Sequence, residues 1–153
     1  MIYCRGSRPD EVAALYAIWK AAVAATHQFV SEEDLAYYGK LLRRKYLPRG
    51  EYLVAVDAKD KPVGFMGVTD GMIDLLFVHP RWFGRGVGRA LVAEALALGG
   101  PVTVDVNVQN KGARRFYERV GFLETGRSPV DGCGRPYPLA HLRHVESGSR
   151  RGG

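Results

Sequence analysis

Leu-Leu-Phe-Val-His-Pro-Arg-Trp-Phe-Gly-Arg-Gly-Val-Gly-Arg-Ala-Leu, residues 75–91, decides how this chain is read. Leu75 to Val78 is an apolar, strand-forming run. Pro80 ends it, because proline has no N–H to give a ladder. Gly84, Gly86 and Gly88 then alternate with Arg85, Val87 and Arg89. Glycine lets backbone N–H groups turn outward and lets a ligand approach the main chain. The helix that follows adds the partial positive charge of its N-terminus. With Arg81, Arg85 and Arg89 at the same place, the segment reads as a strand, an anion cradle and a helix.

Several glycine-loop chemistries compete for it. A P-loop ends in Gly-Lys-Ser/Thr, and this loop ends in Gly88-Arg89-Ala90. A dinucleotide fingerprint needs a third glycine where Leu91 stands, although Asp105 lies downstream about where a ribose-binding acid would. A strand-to-helix turn with no ligand is the plainer alternative.

Composition narrows the field. At 153 residues the chain suits one domain with a sizeable core, expected over residues 1–146 with a flexible tail at 147–153. No apolar run is long enough to span a bilayer, and Arg5 and Arg8 come too early for a signal peptide. Cys4 and Cys133 are the only cysteines, with no Cys-x-x-Cys or His-rich cluster. A disulfide framework or metal site is therefore disfavoured, and the expectation is a cytoplasmic protein without metal. The net charge of +6 favours anionic ligands. A polyphosphate coenzyme satisfies it. Nucleic acid would too, but no helix-turn-helix or stacked-aromatic pattern supports that.

In chain order, Ile2 to Arg5 reads as a strand. Val12, Leu15, Ile18, Trp19, Ala22 and Val23 recur at helical spacing, giving a first helix that ends near Thr26. Ser31-Glu32-Glu33-Asp34 resembles a capping box before a second helix through Tyr46. Strands follow at 52–57, 63–68 and 72–78, with Asp70-Gly71 as a hairpin signal. A third helix leads to a strand at 102–106. That crossover predicts a parallel pair. A fourth helix closes at Gly121, and strands at 122–127 and 137–145 complete the chain.

This β-α-α-β-β-β-α-β-α-β-β order, with two motifs, resembles the GNAT superfamily of N-acetyltransferases. The first motif is the pyrophosphate loop, Gln/Arg-x-x-Gly-x-Gly/Ala, which begins here at Phe83 and departs from the pattern at that residue. The second is Asn107-x-x-Asn110 followed by Ala113-x-x-Phe116-Tyr117-x-x-x-Gly121-Phe122. Ala25 to Ser31 and Gly134 to Leu139 resemble the bacterial YjaB-type branch. The resemblance implies an α/β GNAT fold: a mixed, mostly antiparallel sheet with helices on both faces and strands 4 and 5 splayed apart. It also implies direct transfer of an acetyl group from acetyl-CoA to a primary amine of a small molecule or protein.

The same resemblance assigns site residues. Backbone groups near Leu76, Phe77 and Val78 would hold the pantetheine and the acetyl carbonyl. The N–H groups of Arg85, Gly86, Val87, Gly88 and Arg89 would hold the pyrophosphate. Asn107 and Asn110 would hydrogen-bond the pantetheine arm or the strand end, with a helix cap as the other role for Asn110. Tyr117 stands where the family keeps its general acid, or is a core aromatic beside Phe116. His27 is the candidate general base, because its ordinary pKa of about 6.5 suits proton removal at neutral pH. A surface histidine at a helix end is its alternative. Asp74 and Asp105 are further candidate acids or bases, Arg135 and Tyr137 could touch the acceptor, and Cys133 would serve only a thioester route. A CoA-holding sensor without turnover is the competing class. Monomer and homodimer are both open.

Overall fold

The computed structural model describes residues 1–145. Glu146 and the 147–153 tail lie outside the described residues. The elements run β1 (Tyr3–Gly6), α1 (Val12–Thr26), α2 (Glu32–Leu41), α3 (Leu47–Arg49), β2 (Leu53–Val56), β3 (Pro62–Thr69), β4 (Met72–Val78), α4 (Val87–Ala97), β5 (Thr103–Asn107), α5 (Lys111–Arg119), β6 (Phe122–Ser128) and β7 (Leu139–His144). The strands form one seven-stranded sheet in the order β1-β2-β3-β4-β5-β7-β6. Among the described residues only β4 and β5 pair in parallel. They are joined through α4, and a helical crossover returns a strand parallel to the one it left.

Alternation along the strands sends side chains to two cores. Val54, Val56 and Phe65 face α1, meeting Leu15, Ile18, Trp19 and Val23. Ala55, Met66, Val104 and Val106 face the other way, against Val87, Leu91, Val92 and Ala95 of α4 and Tyr117 of α5. Phe65 and Leu91 are 0% exposed; burying such a side chain is worth about 1.5–3 kcal/mol. Successive β-residues point to opposite faces, so helices must cover both. Asp70 and Gly71 take φ of 49° and 81°, as a tight hairpin between β3 and β4 requires.

Two local features depart from the sequence reading. The second helix does not run evenly to Tyr46. Leu42 to Tyr46 is a π-turn in which Leu47 N–H reaches back five residues to Leu42 O. Pro48 has no N–H to give Arg44 and its ring would press on that carbonyl, so the wider turn admits it. The last strand begins at Leu139 rather than Tyr137. Tyr137 N–H bonds Arg135 O at 2.7 Å, and Pro138 has no N–H to donate to a ladder.

The capping box is half realised. Ser31 Oγ accepts from Asp34 N–H at 3.1 Å. The returning half is replaced: the Asp34 carboxylate takes Arg135 Nε at 2.7 Å and the Tyr137 hydroxyl. The start of α2 is thereby tied to the loop before β7. At the other end of the molecule Glu11 receives both Arg5 terminal nitrogens, at 2.9 and 2.7 Å.

These carboxylates set an acid limit on stability. Hydrogen bonds from Arg5 hold Glu11 and Asp60 below the usual carboxylate range, and the Tyr137 hydroxyl, then Arg135, does so for Asp34. A lowered folded pKa contributes stability that is present above the unfolded value, about 4, and lost as pH falls through the folded one. The thermal midpoint should hold between about pH 7 and pH 5 and fall below about pH 4. Glu11→Gln should shrink that fall. Circular dichroism melts across pH test this, and a midpoint that rises on acidification would contradict it.

Candidate active site

Pairing between β4 and β5 is short. It covers only Met72↔Thr103 and Ile73↔Val104. The β3–β4 register passes from Val68↔Ile73 to Gly67↔Leu75, which leaves Asp74 as the extra residue of a bulge. A bulge bends its strand and strengthens its twist, and here pairing with β5 stops where the bulge begins. From Leu75 to Val78, one edge of β4 has no partner strand, so its backbone groups face an open cleft. The cleft has a volume of about 490 Å³ and is walled by Leu76, Phe77 and Val78, the end of α1, the glycine loop and α5.

The loop closes one end of this cleft. Gly86 caps α4 with φ of 84°, a left-handed conformation that suits glycine. Gly88 serves packing instead. A Cβ there would stand 3.1 Å from Phe116, so its absence lets α4 approach α5. The first intrahelical bond of the segment is Ala90 N–H to Gly86 O at 2.9 Å. The N–H groups of Val87, Gly88 and Arg89 therefore begin the helix without intrahelical acceptors. Arg85 departs from its expected place. Its N–H is engaged by Trp82 O at 3.3 Å, its guanidinium lies 5.0 Å from the Trp82 ring centre, and it does not line the cleft. Of the five loop residues expected to hold the pyrophosphate, Gly86, Val87, Gly88 and Arg89 line the cleft. Arg119 lines the same cleft, although the sequence motifs do not single it out. A signal for it exists, since 112/113, 116/117 and 119 follow one helical stripe.

Tyr117 is 4% exposed and packs edge-on against Phe116 and Phe122, with centroids 5.0 and 5.2 Å away. Its hydroxyl makes no hydrogen bond among the described residues, yet among them no buried side-chain N or O lacks a partner. The hydroxyl is therefore open to the cleft that the residue lines. Burial raises its pKa, so the phenol is protonated at neutral pH.

His27 stands at the C-cap of α1 and lines the cleft opposite. Thr26 Oγ1 gives its one proton to Ala22 O at 2.8 Å and lies 2.7 Å from His27 Nδ1. Both contacts are satisfied together only if Nδ1 carries the imidazole proton and donates it to Oγ1. In the neutral ring Nε2 is then the nitrogen that carries the lone pair, and the Asn107 side chain is within hydrogen-bond reach of the ring. Burial lowers the His27 pKa below its ordinary 6.5, and the Asn107 side chain partly offsets this.

The acetyltransferase (GNAT) domain family model matches residues 20–133. The chain belongs to the GNAT family. Peptidyl-lysine N-acetyltransferase YjaB of Escherichia coli (strain K12) is 46% identical over 145 residues, covering 95% of this chain and 98% of that one. The solution structure of apo-form YjaB from E. coli superposes with a TM-score of 0.91 at 45% identity, covering 96% and 99% of the two chains. The same fold, at 17% identity and a TM-score of 0.76, occurs in PaiA N-acetyltransferase from Thermoplasma acidophilum, solved in complex with coenzyme A, over 95% and 99% of the two chains. This GNAT chain is an N-acetyltransferase of the YjaB-type branch.

Other candidates separate within the GNAT frame. Asn110 Oδ1 accepts from Ala113 N–H at 3.1 Å, so it is the helix cap, and its amide NH₂ remains available at the cleft wall. Asn107 stands beside His27 at the end of β5 that has parted from β4 but still pairs with Leu139 of β7. Asp74 is exposed on the bulge, accepts from Thr69 Oγ1 at 2.5 Å and does not reach the cleft. Arg135 and Tyr137 are engaged with Asp34, and the Arg135 guanidinium lies 3.8 Å from the Tyr37 ring centre. Cys133 is an exposed loop thiol away from the cleft.

Proposed function

We propose that the enzyme moves an acetyl group from acetyl-CoA directly to a primary amine, with a protein lysine as the acceptor. The observation that carries this is that two opposite proton-transfer groups line one cleft: a protonated Tyr117 hydroxyl, and a His27 ring whose Nδ1 is engaged by Thr26, leaving Nε2 as its basic nitrogen. The cleft chemistry suits the coenzyme. Helix N–H groups and Arg89 would bind its pyrophosphate, and the free edge of Leu76 to Val78 would bond the pantetheine and the acetyl carbonyl. An N–H aimed at that carbonyl would stabilise the tetrahedral intermediate, a role worth about 3 kcal/mol per donor. Lysine as acceptor follows the function of the E. coli relative. Two free cysteines accord with a reducing cytoplasm.

The two groups divide the proton transfers. His27 Nε2 takes the proton from the ammonium, directly or through a water, and frees the amine lone pair. A lysine ammonium, with pKa about 10.4, needs this more than an α-amino group with pKa about 8. Tyr117 gives its proton to the departing sulfur. Direct transfer predicts intersecting initial-rate lines when both substrates are varied. Parallel lines would instead point to an acyl-enzyme, with Cys133 the first suspect. With a lysine peptide, kcat/KM should rise with pH through a limb below pH 6.5 that His27→Gln removes, lowering the rate about 10²-fold or more. An unchanged limb would remove His27 from the chemistry.

Phe83 is 45% exposed at the cleft, and its N–H is already engaged by Pro80 O. Phe83→Arg should leave CoA affinity unchanged or tighten it modestly. A large loss by calorimetry would mean that the ring itself is part of the binding surface.

A further inference from the structure

Beyond the cleft, three side chains line up across the far half of the sheet. Asp105 on β5 and His141 on β7 are directly opposite in the ladder, and Ser128 ends β6. His141 Nδ1 lies 2.6 Å from Asp105 Oδ1, and its Nε2 lies 2.6 Å from Ser128 Oγ. An ionised carboxylate only accepts, so Nδ1 carries the proton and donates it. In the neutral imidazole Nε2 then keeps its lone pair, and the Ser128 hydroxyl is the donor. None of the three lines the acetyl-transfer cleft.

That order of bonds is the order of a serine nucleophile: a carboxylate fixes the tautomer, the imidazole accepts, and the hydroxyl is deprotonated as it attacks. We propose that Ser128 is an activated nucleophile and that Ser128, His141 and Asp105 form a second acyl-transfer centre, acting on short carboxylic esters. Ser128 Oγ adds to the ester carbonyl carbon while Nε2 takes its proton. The bond to the alcohol oxygen breaks, and the imidazolium protonates that oxygen as it leaves. A water, deprotonated by Nε2, then attacks acyl-Ser128. The carboxylic acid departs and the proton returns to Oγ. Ester and water become acid and alcohol.

The surroundings leave the row accessible. The His141 and Asp105 side chains are 35% and 29% exposed, and Ser128 is half-buried. Gly126 sits opposite His141 in the β6–β7 ladder. A Cβ there would meet His141 Cδ2 at 3.8 Å and nothing nearer, so the floor beside the imidazole is open. Arg143, two residues beyond His141 on the same strand face, is exposed and adds a cation to that face. General-base activation brings about 10²–10⁴-fold, which suits activated esters rather than amides.

The test is a serine-directed fluorophosphonate probe on the intact protein, with the adduct located by peptide mass spectrometry and p-nitrophenyl acetate hydrolysis measured in parallel. The expected result is an adduct on Ser128 that Ser128→Ala abolishes. His141→Gln and Asp105→Asn should slow it at least tenfold, and circular dichroism reports their fold. Ser128→Ala should lower ester hydrolysis by a similar factor and leave acetyl transfer unchanged. An unmodified Ser128 in the wild-type protein would overturn the proposal, as would labelling of Ser128 at the same rate in a folded His141→Gln variant.

Discussion

Replacing Tyr117 by phenylalanine is expected to lower turnover about tenfold to a thousandfold while leaving the fold and CoA affinity nearly unchanged. The ring holds α5 against Phe116 and Phe122, and phenylalanine keeps that ring. The hydroxyl has no partner among the described residues, so its removal strands no buried group. On the proposed mechanism, what is lost is the proton for the CoA sulfur. A thiolate with pKa about 8.5, judged from cysteine, gains from a donor at neutral pH. Single-turnover acetylation of a lysine peptide isolates this step. If the variant reacts as fast as the parent with chemistry rate-limiting, Tyr117 is not the acid.

Gly86→Glu should weaken CoA binding about a hundredfold or more. Two effects add. Gly86 holds φ of 84°, which costs an L-residue about 1–2 kcal/mol. The carboxylate would also occupy the helix N-terminus proposed to hold the pyrophosphate. Gly86→Ala separates the two, since it brings the strain without the charge and should lose much less. Calorimetry with CoA on folded variants reads both. Equal affinity for the Glu variant and the parent would remove the loop from the coenzyme site.

Most of what builds the cleft is written locally. The apolar run ending at Pro80, the alternating glycines and the stripe on α5 each span a few residues, so spacing and turn chemistry expose them. What sequence hides depends on distant partners. β7 inserts between β5 and β6, although β6 precedes it in the chain. Asp34, which looks like half of a capping box, is claimed by Arg135 across 101 positions. Arg85 looks like a cradle residue, but its N–H is spent on Trp82 O. The His27 tautomer depends on a threonine hydroxyl and a carbonyl one turn back. Asp105 is visible as an acid, but nothing in its neighbourhood reveals that a histidine 36 positions on holds its carboxylate.

Incubation with acetyl-CoA and a lysine-containing peptide, reading free thiol and peptide mass together, decides whether the cleft transfers acetyl groups to lysine. The expected result is one acetyl group on the lysine Nζ for each CoA thiol released, with both signals falling together in Tyr117→Phe. Tight CoA binding with no thiol release above background on lysine peptides, N-terminal amines or polyamines would contradict this, and would make the chain a CoA-holding module instead.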